Sequence, residues 1–168
     1  KLQQTAANRL GFTSKKTMQI AQQLYEGINI GSTRIGLITY MRTDSVRVSD
    51  VALKEVRDWL GERFPAELPA EPVVYATDKK AQDAHEAIRP TMVAYTPDAI
   101  KEYLNKDQQK LYGIIWERFV ASQMTQAKQR STSMEVSVGL ARFRVGASRL
   151  VEKGFYKVIK LLATKDDK

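Results

Sequence analysis

The spacing of apolar residues changes once along this chain, and the change divides it in two. Up to about residue 125 apolar positions recur every three or four residues, the helical period; from Ser131 they alternate with polar ones, as in a strand. Residues 2–10 predict a short helix stopped by Gly11. Ser14 predicts an N-cap for a helix over 15–26, with Met18, Ala21, Leu24 and Tyr25 at helical spacing and Gly27 at its end. Residues 27–33 (G-I-N-I-G-S-T) read as a Gly-rich loop, and 35–39 as an apolar, strand-like run. Ser49 predicts the cap of a helix over 50–60, with Val51, Val56 and Leu60 facing a core and Trp59 at its end. Three of the five prolines fall between 64 and 72 and predict a surface loop, followed by a short extended piece over 73–75. Thr96-Pro97-Asp98 signals a helix reaching about residue 104. Asp107 starts the longest helix, to about 123, with Leu111, Ile114, Ile115 and Phe119 on one stripe and Trp116 alongside. Met134, Val136 and Val138 then alternate with polar residues, as do Phe143 and Val145 with Arg142 and Arg144, around a turn at Gly139. A third strand is expected over 155–161. The pattern predicts an α+β chain: a mainly helical domain over 1–125, then antiparallel strands over 126–168.

Composition adds limits. A chain of 168 residues with 43% hydrophobic residues can bury a sizeable core. With no cysteine there are no disulfides and no thiolate metal sites, which fits a reducing compartment. No apolar run approaches the roughly 20 residues that span a bilayer, and the N-terminus K-L-Q-Q-T-A-A-N-R-L is not a secretory signal. The missing initiator Met predicts a piece of a longer polypeptide. The net charge of +8 is uneven: residues 1–50 carry +4, residues 51–120 carry −2 and residues 121–168 carry +6. Clustered cations at both ends point first to a polyanion, since neutralised phosphates release counterions; a merely solvated basic surface is the other reading.

The candidate chemistry centres on residues 36–45, G-L-I-T-Y-M-R-T-D-S. In extended backbone Tyr40 and Arg42 share a face. A guanidinium holding two phosphate oxygens beside a phenol aimed at phosphorus suits phosphoryl chemistry. The same spacing also fits an edge strand ending in a turn, with a half-buried Tyr and a solvated Arg. Residues 83–91, D-A-H-E-A-I-R-P-T, gather Asp83, the only histidine (His85), Glu86 and Arg89 around a proline. A lone His is usually an ordinary surface residue, and one nitrogen ligand makes no transition-metal site. Lys15 and Lys16 sit where a helix dipole disfavours cations, so they either contact phosphate or are simply solvated. The 27–33 loop lacks the G-K-[ST] ending of a phosphate-cradling loop.

Residues 36–45 resemble the active-site tyrosine motif of type IA DNA topoisomerases, most closely the bacterial topoisomerase I branch. L-Q-Q-T-A-A-N-R-L-G-F-T-S-K-K-T-M-Q-I-A-Q-Q-L-Y-E-G resembles the helical segment before that motif, A-H-E-A-I-R-P-T the His segment after it, and W-E-R-F-V-A-S-Q-M the long helix before the chain returns to the arch. Reverse gyrases and topoisomerases III share the motif. Met41, where topoisomerase III more often has proline, favours topoisomerase I.

The resemblance implies a catabolite-activator-like helical domain over 1–125 and, over 126–168, part of the arch that closes the family's toroid, incomplete here. It implies that Tyr40 attacks a phosphodiester of single-stranded DNA to form a 5′-phosphotyrosine, relaxing negatively supercoiled DNA without ATP. Arg42 would clamp the scissile phosphate, and His85 would contact a neighbouring one. Arg89 would do the same work or form an ion pair with Glu86 or Asp83, and Asp44 would cap the turn. Mg²⁺ would be held by carboxylates of a separate domain, with no ion bound by this chain. The implied partners are DNA and the remaining domains of the same polypeptide, with no membrane, and the implied location is the cytoplasm, at the nucleoid. Alone, the chain would bind single-stranded DNA weakly and relax nothing, because a free phenol keeps its proton at neutral pH. The competing class is a non-catalytic single-stranded nucleic-acid-binding module, with Tyr40 stacked on a base.

Overall fold

A computed structural model describes residues 1–75 and 85–159. Its centre is the helix α4, Lys106–Ala121, which buries residues on nearly every side, from Gln108 through Leu111, Ile115 and Trp116 to Val120. A capping box starts it: the Asn105 side chain accepts from the Asp107 and Gln108 amides, and Gln108 Oε1 accepts from the Asn105 amide (3.0 Å). Two helices pack on it, α1 (Leu2–Leu10) and α2 (Ser14–Glu26). The α2 cap is Thr13, not the expected Ser14; its hydroxyl accepts from the Lys16 amide at 3.2 Å. The buried stripe of α2 is Thr17, Ile20, Ala21 and Leu24. Tyr25 therefore stands 41% exposed and Met18 lies at the margin. Thr17 can be buried because its hydroxyl donates to the Thr13 carbonyl (2.9 Å). Gln108 also donates to the Gln23 side chain (3.0 Å), tying α4 to α2.

The 27–33 stretch is not a loop throughout. It contributes β1 (Ile28–Ile30) and the start of β2 (Thr33–Ile35), a small antiparallel hairpin. The helix α3 (Asp50–Arg63) buries Ala52, Val56 and Leu60. Val51 was expected in the core but is 79% exposed, since the stripe that meets the core runs one residue later. Trp59 packs edge-on to Trp116, centroids 5.2 Å apart. The proline-rich loop contains a short 3₁₀ turn, Pro65–Glu67, and is pinned by Arg57, which donates to the Pro69 and Ala70 carbonyls (2.9 and 2.8 Å).

Residues 73–75 pair with no strand among the described residues; the buried Gln123 amide both accepts from the Val73 N–H (3.1 Å) and donates to its carbonyl (2.9 Å). Two expected elements take another form. Residues 96–104 form turns and a 3₁₀ helix, Lys101–Tyr103, despite Thr96 Oγ1 accepting from the Ala99 amide as a cap would. So short a segment, anchored at Ile100 and Leu104 in the core, cannot repay helix nucleation. The third strand is replaced over its described part by a 3₁₀ turn, Gly154–Lys157, whose Phe155 amide donates to the Thr125 carbonyl (3.0 Å) while Val158 turns into the core.

The expected strands are present and longer than the alternation suggested: β3 (Lys128–Val138) and β4 (Ala141–Glu152) form one antiparallel hairpin. Gly139, at φ 60, supplies the left-handed residue its turn requires. Met134 lies opposite Val145 and Val136 opposite Phe143, so the apolar residues share one face, and that face is exposed. Among the described residues no helix is long and apolar enough to cross a membrane.

Tyr112 reports on the core. Its hydroxyl donates to the Tyr95 carbonyl (2.6 Å), and burial, with Tyr95 and Glu55 adding to it, raises its pKa above the ordinary phenol range. A raised folded-state pKa favours folding fully below the unfolded value of about 10, and that contribution falls as pH rises beyond it. Urea unfolding of the chain between pH 9 and 11 is expected to show a stability loss that Tyr112→Phe reduces. The substitution should cost about 1 kcal/mol at neutral pH through the lost hydrogen bond. An unchanged alkaline slope would assign the loss to other groups.

Candidate active site

The segment over 36–40 runs beside residues 87–91 without forming a sheet strand; its one β-bridge is Ile38 to Pro90, and the chain bends at Met41 and Arg42. It lies between the end of α2 and the 87–91 segment and bonds to both. The Leu37 amide donates to the Leu24 carbonyl (2.8 Å), the Thr39 amide to the Arg89 carbonyl (2.9 Å), and the Thr91 amide to the Leu37 carbonyl (3.0 Å). Gly36 is needed for this fit, because a Cβ there would sit 2.7 Å from the Tyr25 carbonyl oxygen. Two threonines close the pairing. Thr39 Oγ1 donates to the Ala87 carbonyl (2.7 Å) and accepts from the Arg89 amide (3.0 Å), while Thr91 Oγ1 donates to the Gly36 carbonyl (2.7 Å). The tyrosine motif and the His segment therefore lie side by side. Thr39, Thr91 and Gly36 escaped the sequence reading, whose only signal for them was a small or hydroxyl residue flanking each apolar run.

Leu37, Ile38 and Met41 are buried, whereas Tyr40 is 44% exposed and Arg42 is exposed. The Tyr40 ring meets the Tyr25 ring edge-on, centroids 5.4 Å apart and planes at 62°. Among the described residues neither the Tyr40 hydroxyl nor the Arg42 guanidinium has a hydrogen-bond or ion-pair partner. The chain bends at Met41 and Arg42 and continues irregularly to α3. Thr43 Oγ1 accepts from the Ser45 amide (3.0 Å) and Ser45 Oγ from the Arg47 amide (3.1 Å). These hydroxyls bond the backbone that follows the bend, while Asp44, expected to cap the turn, is exposed.

The other candidates divide. His85 is half-buried, two residues before Ala87, whose amide donates to the Arg47 carbonyl (2.8 Å). Arg89 is taken up internally. Its Nε and Nη2 lie 2.8 and 2.7 Å from Glu86 Oε2, and Nη1 donates to the Pro90 carbonyl (3.0 Å), with side chains only 13% and 24% exposed. Asp83 lies outside the described residues. Lys15 and Lys16 stand at the far end of α2, about 15 Å along its axis from Tyr25. Lys16 is explained by its own fold: its ammonium bonds Asp107 in the first turn of α4 (2.7 Å) and lies 4.3 Å from the Phe12 ring centroid. Lys15 is exposed. No group of three or more His, Asp or Glu able to hold a metal ion gathers among the described residues.

A partly exposed phenol and an exposed guanidinium, flanking one buried residue on a braced segment, are the kinds of group that act on and grip a phosphate. All 168 residues match a family model described as DNA topoisomerase. The chain is 61% identical over 165 residues to DNA topoisomerase 1 of Treponema pallidum, covering 98% of this chain and 23% of that protein. It is 48% identical over 163 residues to DNA topoisomerase 1 of Rickettsia felis, covering 94% of this chain and 21% of that one. The solved structure of full-length topoisomerase I from Thermotoga maritima matches with a TM-score of 0.79 at 45% identity, over 94% of this chain and 25% of that structure. The chain thus spans about a quarter of the length of the relatives it matches.

Proposed function

The chain belongs to the type IA DNA topoisomerase family, on its bacterial topoisomerase I branch, and from that premise we propose that Tyr40 is the nucleophile that cleaves and reseals one strand of DNA. The observation that carries this reading is the pair of exposed groups without a partner among the described residues, the Tyr40 hydroxyl and the Arg42 guanidinium, on either side of buried Met41.

In this reading Tyr40 Oη attacks the phosphorus of a single-stranded segment. The bond to the 3′-oxygen breaks, leaving a 5′-phosphotyrosine and a free 3′-hydroxyl. The phenolic proton passes to a base and the leaving oxygen takes one from an acid. When the 3′-hydroxyl attacks back, the bond energy is recovered, so negatively supercoiled DNA relaxes without ATP. Arg42 grips the non-bridging oxygens and stabilises their charge in the transition state. His85 contacts a neighbouring phosphate and Lys15 the backbone further away. Arg89 and Lys16, committed to Glu86 and Asp107, support the fold instead. The described residues do not suit Mg²⁺, since no carboxylate cluster forms among them; its ligands, like the acid and base, come from other domains of the polypeptide. Residues 1–125 then form the catabolite-activator-like tyrosine domain, and 126–168 contribute strands to the arch. By itself this chain binds single-stranded DNA weakly and relaxes none.

The test is denaturing electrophoresis after mixing the whole enzyme with labelled single-stranded oligonucleotide and Mg²⁺. A covalent adduct, mapped to the peptide containing Tyr40, is expected. Binding without any adduct would instead support a non-catalytic single-strand-binding module in which Tyr40 stacks on a base.

A further inference from the structure

We propose that Tyr25 is a positioning residue for Tyr40, its ring limiting the rotation of the Tyr40 ring so that the phenolic oxygen keeps one outward direction. The proposal rests on the reading of Tyr40 as nucleophile. Two backbone contacts bring the two tyrosines together. The Leu37 amide bonds the Leu24 carbonyl, fixing the height of the segment against the last turn of α2. Gly36 lets the backbone approach the Tyr25 carbonyl more closely than any residue with a Cβ allows. The two rings then meet edge to face at 5.4 Å.

Core packing does not account for the ring contact. Tyr25 and Tyr40 are 41% and 44% exposed, and the stripe of α2 that faces the core is Thr17, Ile20, Ala21 and Leu24. A half-exposed tyrosine with no neighbour flips between rotamers in picoseconds to nanoseconds. An edge-to-face partner biases such an equilibrium by roughly two- to tenfold, and reacting groups held near the attack geometry need less ordering in the transition state. No hydrogen bond to the Tyr25 hydroxyl is required, so the ring is the functional part.

The experiment compares Tyr25→Leu, Tyr25→Met and Tyr25→Phe in the whole enzyme, with Tyr40→Phe alongside. Single-turnover adduct formation on labelled single-stranded DNA is measured separately from DNA affinity. Loss of the ring in the Leu and Met variants is expected to slow adduct formation by roughly tenfold, with affinity and thermal midpoint nearly unchanged. Tyr25→Phe, which keeps the ring, is expected to restore the rate to within about twofold. Equal losses in the Phe and Leu variants overturn the proposal, because the hydroxyl would then be the active part. Losses confined to affinity, or wild-type rates in both the Leu and Met variants beside an inert Tyr40→Phe, overturn it and leave the nucleophile in place. An adduct persisting in Tyr40→Phe overturns the nucleophile reading, and this proposal with it.

Discussion

Tyr40→Phe in the whole enzyme is expected to abolish the covalent protein–DNA adduct and with it the relaxation of supercoiled plasmid, a loss of at least about 10⁴-fold. The substitution removes one oxygen. The ring contact with Tyr25 survives it, because that contact uses the ring and not the hydroxyl. No internal hydrogen bond of the Tyr40 hydroxyl is lost among the described residues, so stability and DNA affinity should stay close to wild type. This combination separates a nucleophile from a stacking residue. If Tyr40 only stacked on a base, Phe would serve as well and nothing would change. Denaturing gels, with affinity measured in parallel, decide the matter, and an adduct of undiminished yield would place the nucleophile elsewhere.

The largest effect expected on stability comes from Trp116→Ala, about 3–5 kcal/mol, read from the urea midpoint. Trp116 is 6% exposed and joins three parts of the fold. Its ring packs edge-on to Trp59 of α3, and its Nε1–H donates to the Val93 carbonyl (3.0 Å). The Val93 amide in turn donates to Glu55 Oε1 of α3 (2.7 Å), so Val93 is held from both helices. Val93 continues the segment whose residues 87–91 brace the tyrosine motif. Truncation should therefore lower the adduct rate as well as the midpoint. Trp116→Phe, which fills most of the volume but lacks the donor, should lose less. A midpoint shift under about 1 kcal/mol would mean that the site collapses around the cavity.

Much of the helical part was legible because its signals are local. The α4 stripe of Leu111, Ile115 and Phe119 reads directly from spacing, and Gly11 and Gly27 mark helix ends as expected. Hydropathy misplaced the inner face of α2, where Thr17 outranks Met18 and Tyr25. A threonine whose hydroxyl bonds the preceding turn is as buriable as an aliphatic residue, and no hydropathy value records that bond. The same kind of error put Val51 in the core in place of Ala52. Segments too short to nucleate alone, 96–104 and 155–159, took the conformation that their distant neighbours allowed.

At the site the division follows range. The motif T-Y-M-R by itself determined which groups are present, whereas their exposure on either side of buried Met41 came from the fold. Which cations remain available was decided by tertiary structure alone. Arg89 differs from Arg42 because Glu86 folds back onto it, and Lys16 differs from Lys15 because Asp107, far along the chain, reaches it. The bracing of Tyr40 likewise depends on Thr39 meeting residues 87 and 89, and on Gly36 meeting Tyr25. A side chain's chemistry is written in its own residue, but its freedom to act depends on partners that only folding brings within bonding distance.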